Sequence, residues 1–270
     1  MKGFILSFRS EFYKTRKTAG FWSAVLLPLI LCLLLFTGFY THSDKLSLFP
    51  PMLLWIQFAG AILGVMGSIL LPMLIIFIAY SVNSVEHKAD TWKTLFSLPI
   101  SKLSVYAAKY FYALFLVFLC LMLFVLFTIG FGNLLGTLKP ELKFHDYSMA
   151  NILIQVYIKL FLSSLGILSI QFLLSFLFSD FLKPMGIGFV ATITGIVLAN
   201  VDWQYAYLFP YSFPTMTISA IPRHHGPPST AGGMPTIIID IFTKEIYVSL
   251  IIAAVVFIAG YFIVLKKSVK

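Results

Sequence analysis

The sequence predicts an all-α polytopic membrane protein: six transmembrane helices, an N-terminal amphipathic interfacial helix and a further amphipathic helix in a cytoplasmic loop. Three observations predict it. The 270 residues are 60% hydrophobic and only 11% charged, with a mean hydropathy of +0.96, which is too apolar for a soluble domain. Six apolar segments are long enough, or nearly so, for the roughly 20 residues that cross hydrocarbon. The basic residues stand in short clusters beside those segments, so the net charge of +9 reports membrane orientation and not a nucleic-acid surface.

The spans are expected near 21–41, 58–82, 104–131, 152–178, 184–201 and 246–265. The fifth is the weakest, because Lys183-Pro184 opens it, Gly186, Gly188 and Gly195 loosen it, and Asn200 and Asp202 close it. No polar stretch is long enough for a second core, so residues 1–270 form one membrane domain. Twelve Lys and Arg residues fall on the side of the termini and five on the other, which makes the terminal side cytoplasmic. An even number of spans then places both ends there.

Ahead of the first span, Phe4, Ile5, Phe8 and Phe12 share a helical face, with Arg9, Lys14 and Lys17 off it. That pattern suits a helix in the headgroup layer, and the long apolar run that follows marks a retained segment, not a cleaved leader. Trp22, Trp55 and Trp203 sit at span ends as interfacial anchors, while Pro28 and Pro72 are expected to bend their spans. Gly60, Gly64 and Ser68 make a small-residue face on span two, suited to packing within the chain or against a second subunit.

Much chemistry is missing from the sequence. None of the ten acidic residues lies in mid-span, which disfavours ion-coupled transport. There is no G-x-x-x-x-G-K-[ST], so ATP must be handled by another chain; H-E-x-x-H and G-x-S-x-G are also lacking. Cys32 and Cys120 lie in apolar runs as packing residues, and His224-His225 in a Pro/Gly-rich loop are too few for a metal site. Lys109 and Lys159, the charges within spans, are expected to snorkel to the interface.

The most informative polar segment lies between spans two and three. Ser84 can cap a helix over 84–97 whose apolar stripe is Val85, Ala89, Trp92, Leu95 and Phe96, with Glu86, His87, Asp90 and Lys93 on the remaining surface and Pro99 ending it. Such a helix either rests on lipid or docks into a groove on a soluble partner. Glu86 and Asp90 favour the partner, because an anionic membrane surface repels them.

Six spans, the segment Glu11-Phe-Tyr-Lys-Thr-Arg-Lys17, and a loop with Glu86, Asp90-Thr91 and Leu98-Pro-Ile-Ser-Lys102 followed by Lys109 resemble the permease subunits of ABC-type exporters. Within them the chain is most similar to the bacterial branch of bacitracin-type and lantibiotic export or immunity. The resemblance implies that 84–97 is a coupling helix. Glu86, Asp90, Thr91, Trp92, Lys93, Leu95 and Phe96 would contact a separate ATPase subunit that brings ATP and Mg, with Trp92, Leu95 and Phe96 as apolar anchors. It implies no cofactor in this chain, a second permease chain (homo- or heterodimer) and a bacterial cytoplasmic-membrane location. It further implies a segment between spans five and six that folds back into the outer leaflet, which Trp203–Pro214, aromatic and broken by Pro210 and Pro214, suits. The polar insert at 222–236 departs from the family's pattern. An amphiphilic substrate, peptide or lipid-like, fits the 28 Phe and 13 Tyr. Two other functions compete: a membrane-embedded lipid-modifying enzyme using His224, His225 and Asp240, and an ion-coupled carrier.

Overall fold

The computed structural model describes residues 2–46, 49–89, 91–92, 99–201, 203–219 and 239–266. Helix α1 (Lys2–Thr15) leads through a short turn into α2 (Ala19–Thr41). Then come α3 (Pro51–Ala89), α4 (Lys102–Leu138), α5 (Ala150–Leu177), α6 (Leu182–Asn200), the short α7 (Phe213–Ser219) and α8 (Lys244–Lys266). Six of these, α2 to α6 and α8, are long and apolar enough to cross a membrane, matching the six expected spans.

Burial separates them into an axis and a rim. About 61% of the apolar window of α5 and 56% of that of α3 is buried, against 22% for α2, α6 and α8. The core therefore runs along α3 and α5, with α4 packed against both, and the remaining spans turn one side outward, as a lipid-solvated bundle requires. At 39 and 37 residues, α3 and α4 are about 55 Å long, well beyond the ~30 Å hydrocarbon layer. Their ends on the terminal face thus stand at or outside the headgroup level.

Span two begins earlier than expected, at Pro51, which suits a helix start because the N–H it lacks would have no intrahelical acceptor there. This moves Trp55 inside: it is 2% exposed, its indole N–H donates to the Phe144 carbonyl at 2.9 Å, and its ring fills the space beside Gly132. Trp55 is accordingly a core residue and not an interfacial anchor; Trp22 and Trp203 do face outward. Pro72 follows a π-helical stretch, Met66–Leu70, whose widened turn accommodates a residue that cannot donate to the preceding helix. Gly67 in that stretch leaves the space occupied by Ile218 of α7.

The segment after α6 turns back into the bundle. Pro210–Ser212 and α7 are buried against α5 and α6, Ile218 reaches Gly67 and Leu160, and the Tyr211 hydroxyl lies 2.6 Å from Gln171 Nε2. Leu160 lies well inside α5, so the fold-back enters the bundle and does not cap it. The 222–236 insert lies outside the described residues.

Candidate functional site

The polar centre of the molecule is on the terminal face, where α1, α3 and α4 meet. Glu11 falls on the same side of α1 as Phe4 and Phe8, one of the inward positions of an amphipathic helix. Phe4 meets Phe111 at 5.9 Å between ring centroids, and Phe8 and Phe12 meet Tyr112 at 6.0 and 6.5 Å. This aromatic seam carries the Glu11 carboxylate into the bundle, where it is 2% exposed. Glu86, in the last turn of α3, is also 2% exposed.

Between them stands Lys109, two turns into α4 and 1% exposed. Its ammonium donates to Glu11 Oε2 at 2.8 Å, Glu86 Oε2 at 2.5 Å and the Val82 carbonyl at 3.2 Å, so all three N–H groups are used. Lys14 closes the cluster from the outside, at 3.3 Å from Glu11 Oε1 and 3.2 Å from Glu86 Oε1. Two carboxylates and two ammonium groups thus alternate, with formal charge zero. Burial alone would lower the Lys14 pKa, but Glu11 and Glu86 outweigh it and hold it above the ordinary value.

A second network fixes the start of the loop. His87 Nε2 bonds the Ser175 carbonyl at 3.0 Å and must carry the proton, which leaves Nδ1 to accept from the Trp92 indole N–H at 3.1 Å. The Trp92 ring packs edge-on to Phe176 at 4.9 Å, and the Lys109 ammonium lies 5.6 Å from its centroid. Asn83 donates to Ser175 Oγ at 2.8 Å. On the other side of the loop, Ser101 Oγ accepts from the Ser104 N–H at 3.2 Å and caps α4.

These arrangements correct three expectations. Lys109 and Lys159 do not snorkel: Lys109 is held as above, and Lys159, 4% exposed, faces Glu245 of α8 at 3.4 Å. Charged partners from neighbouring helices were available at each site, so burial did not isolate the charge. Ser84 does not cap a new helix; α3 runs through it to Ala89, and its hydroxyl donates to the Ser81 carbonyl. The polar run that resembled a boundary faces Ser175 instead. Glu86 and Trp92 are turned into the bundle, while Thr91 is exposed. Asp90, Lys93, Leu95 and Phe96 lie outside the described residues, as do His224 and His225. Phe4 and Phe8 are half-buried on α4, Phe12 is 40% exposed, Lys14 joins the cluster and Lys17 is exposed in the turn after α1.

Glu11 and Lys109 were missed as partners. The signal was present: an acid at an apolar-face position of an amphipathic helix, and a lysine in an otherwise apolar span. Their pairing across 98 residues was not.

A bundle of six helices long and apolar enough to cross a membrane, with an N-terminal amphipathic helix locked to it by buried charges, defines an all-α polytopic membrane protein. The family model of the ABC-2 family transporter proteins matches residues 7–195, about two thirds of the chain, and the chain belongs to that family. It is a membrane permease subunit of an ABC transporter, a class that associates with an ABC ATPase. The match covers Glu11, Glu86 and Lys109 and most of the bundle, and stops before α7 and α8. No curated protein and no solved structure matches the chain.

Proposed function

We propose that this chain is the permease of an ATP-driven exporter that moves an amphiphilic substrate, an antimicrobial peptide or a lipid-like molecule, outward across a bacterial cytoplasmic membrane. ATP and Mg are bound and turned over by a separate ATPase subunit. The observation that carries the proposal is the grip of Lys109 on both Glu11 and Glu86 at the root of the α3–α4 loop.

The segment 84–97, from the last turns of α3 onward, is the coupling element. Glu86 and Trp92 within it are both tied to Lys109 of α4. A push on this loop by closing ATPase subunits cannot be absorbed locally, because displacing Glu86 drags α1 through Lys109 and Lys14, and displacing Trp92 drags α5 through His87 and Ser175. The motion therefore passes to the ends of α1, α3, α4 and α5 together, tilting the spans as rigid elements. Leu95 and Phe96 supply the apolar contact with the ATPase, and Asp90 and Lys93 orient it. Excess basic residues on the terminal face support a cytoplasmic location for that face and both termini. A second permease chain completes the path; Gly60 and Gly64 of α3 have no atom within 4 Å of an added Cβ, which leaves room for its close approach.

The test is co-expression with candidate ABC ATPase subunits from the same genome, taking forward the one that co-purifies with the parental chain. Phe96→Asp is expected to abolish co-purification of the two chains while the permease still inserts. Peptide antibiotics or lipids that are exported should stimulate ATP hydrolysis of the parental complex. Normal co-purification of Phe96→Asp would remove the loop from the interface, and inward accumulation of substrate with ATP would reverse the direction.

A further inference from the structure

On the terminal face α1 and the start of α4 enclose a groove of about 400 Å³. Its lining is apolar at Leu6, Ile100 and Val105 and polar at Ser7, Ser10 and Arg9. Glu11 and Lys14 also border it, but their charges are balanced within the cluster around Lys109. Arg9 is not balanced. Its guanidinium lies 5.6 Å from the centroid of the Tyr13 ring, and that of Arg16 lies 5.4 Å from the same ring. Among the described residues neither guanidinium has a carboxylate partner. Two guanidiniums thus lie against one Tyr13 ring with no carboxylate partner among the described residues.

We propose that this groove binds an anionic phospholipid of the adjoining leaflet, with its phosphate held by Arg9 and its glycerol and upper acyl chain against Leu6, Ile100 and Val105, while Arg16, beside the same Tyr13 ring, adds a second positive charge at the rim. Guanidinium forks match phosphate oxygens, and Ser7 and Ser10 add hydroxyl donors at the same level. A lipid is favoured over an acidic protein surface because the outer flank of α1 is greasy: Ile5 is 64% exposed, Leu6 61% and Tyr13 52%. The depth also suits a headgroup, since the groove opens at the first turns of α4, a helix about 55 Å long whose ends stand beyond the hydrocarbon. The Tyr13 pKa is lowered by the hydrogen bond and charge of Arg9, with Arg16 adding to it, as expected beside uncompensated cations. A lipid seated here would brace α1 against α4 next to the charge cluster.

The experiment is native mass spectrometry of the purified full-length chain with phosphatidylglycerol or phosphatidylcholine of matched chain length. The parental protein is expected to retain phosphatidylglycerol preferentially. At about 1 kcal/mol for each basic residue near an anionic surface, Arg9→Gln/Arg16→Gln should weaken phosphatidylglycerol binding roughly 25-fold and leave phosphatidylcholine unchanged. Both arginines are exposed and outside the buried cluster, so this variant keeps the fold. Lys88→Gln/Lys183→Gln removes the same charge from exposed positions outside the groove and should change binding by less than about twofold. An equal loss in the two variants would reduce the site to diffuse electrostatics, and no loss in the arginine variant would eliminate it. Displacement of phosphatidylglycerol by inorganic phosphate would reassign the groove to the free ion. Unchanged lipid binding with lost ATPase co-purification would reassign the arginines to the partner protein.

Discussion

Replacing Lys109 with methionine keeps the length and apolar stem of the side chain and removes its ammonium. Glu11 and Glu86, each 2% exposed, are then left sharing Lys14, whose side chain is one-third exposed. Three donor contacts are lost at once, to Glu11, Glu86 and the Val82 carbonyl. Each hydrogen bond to a charged group contributes about 1.5–3 kcal/mol, but the three share one ammonium and do not add. Breaking a buried ion pair by deleting one partner costs about 3–5 kcal/mol, because a charge remains in a medium that solvates it poorly. The cheapest relief is release of α1, which carries Glu11 to water at the expense of the Phe4, Phe8 and Phe12 seam. The docked state of α1 should therefore lose two to three and a half powers of ten in equilibrium population, by about 1.4 kcal/mol per tenfold. Trypsin reports this directly, because Arg16 and Lys17 lie in the turn that α1 anchors. Cleavage there, and hydrogen exchange along α1, should accelerate sharply in Lys109→Met. The triple change Glu11→Leu/Glu86→Leu/Lys109→Met should restore slow cleavage, since the one remaining charge, on Lys14, sits on a side chain one-third exposed that can turn to water, yet leave ATPase activity unresponsive to substrate. Parental cleavage and exchange rates in Lys109→Met would refute the assignment of this cluster as the anchor of α1.

The remaining predictions concern the fold-back and the outer edge of the cluster. Gly195→Ala places a methyl group into the backbone of Tyr211 and Ser212, which cannot rotate aside, so a loss of about 1–3 kcal/mol is expected in thermal unfolding. Gly186→Ala, on the same helix with nothing within 4 Å, should instead gain about 1 kcal/mol from helix propensity; equal effects at the two glycines would contradict the seating of Tyr211. Because its two carboxylates raise the Lys14 pKa above 10.5 against the pull of burial, the contribution of Lys14 is complete below that value and is lost as pH rises through the raised pKa. Tryptic release of α1 should consequently stay flat between about pH 7 and about pH 10; an earlier rise that disappears in Lys14→Gln would overturn the sign.

Hydropathy and charge asymmetry made six spans legible, because lipid demands about 20 apolar residues per crossing whatever the partners of a helix. Span ends were less legible. Pro51 and the run from Asn83 to Ala89 extend α3 beyond its apolar stretch, since polar residues can stay helical where another helix supplies their hydrogen bonds, as Ser175 does for Asn83. The site was half visible: Glu86, Trp92, Phe4, Phe8 and Lys14 stood out, while Lys109 was read as a snorkelling base and Glu11 was given no place inside the bundle.

By itself the sequence determined the solvent of this protein, its helical class, the parity of its spans and the kind of transport subunit it resembles. These properties follow from composition and local period. Only the tertiary structure decided which way Lys109 points, that Trp55 and Trp92 face inward, and that α1 is locked to α3 and α4. Those outcomes depend on which helices become neighbours. The cost of a buried charge or indole N–H is offset by a partner 98 or 89 residues away, and no local pattern encodes that partner.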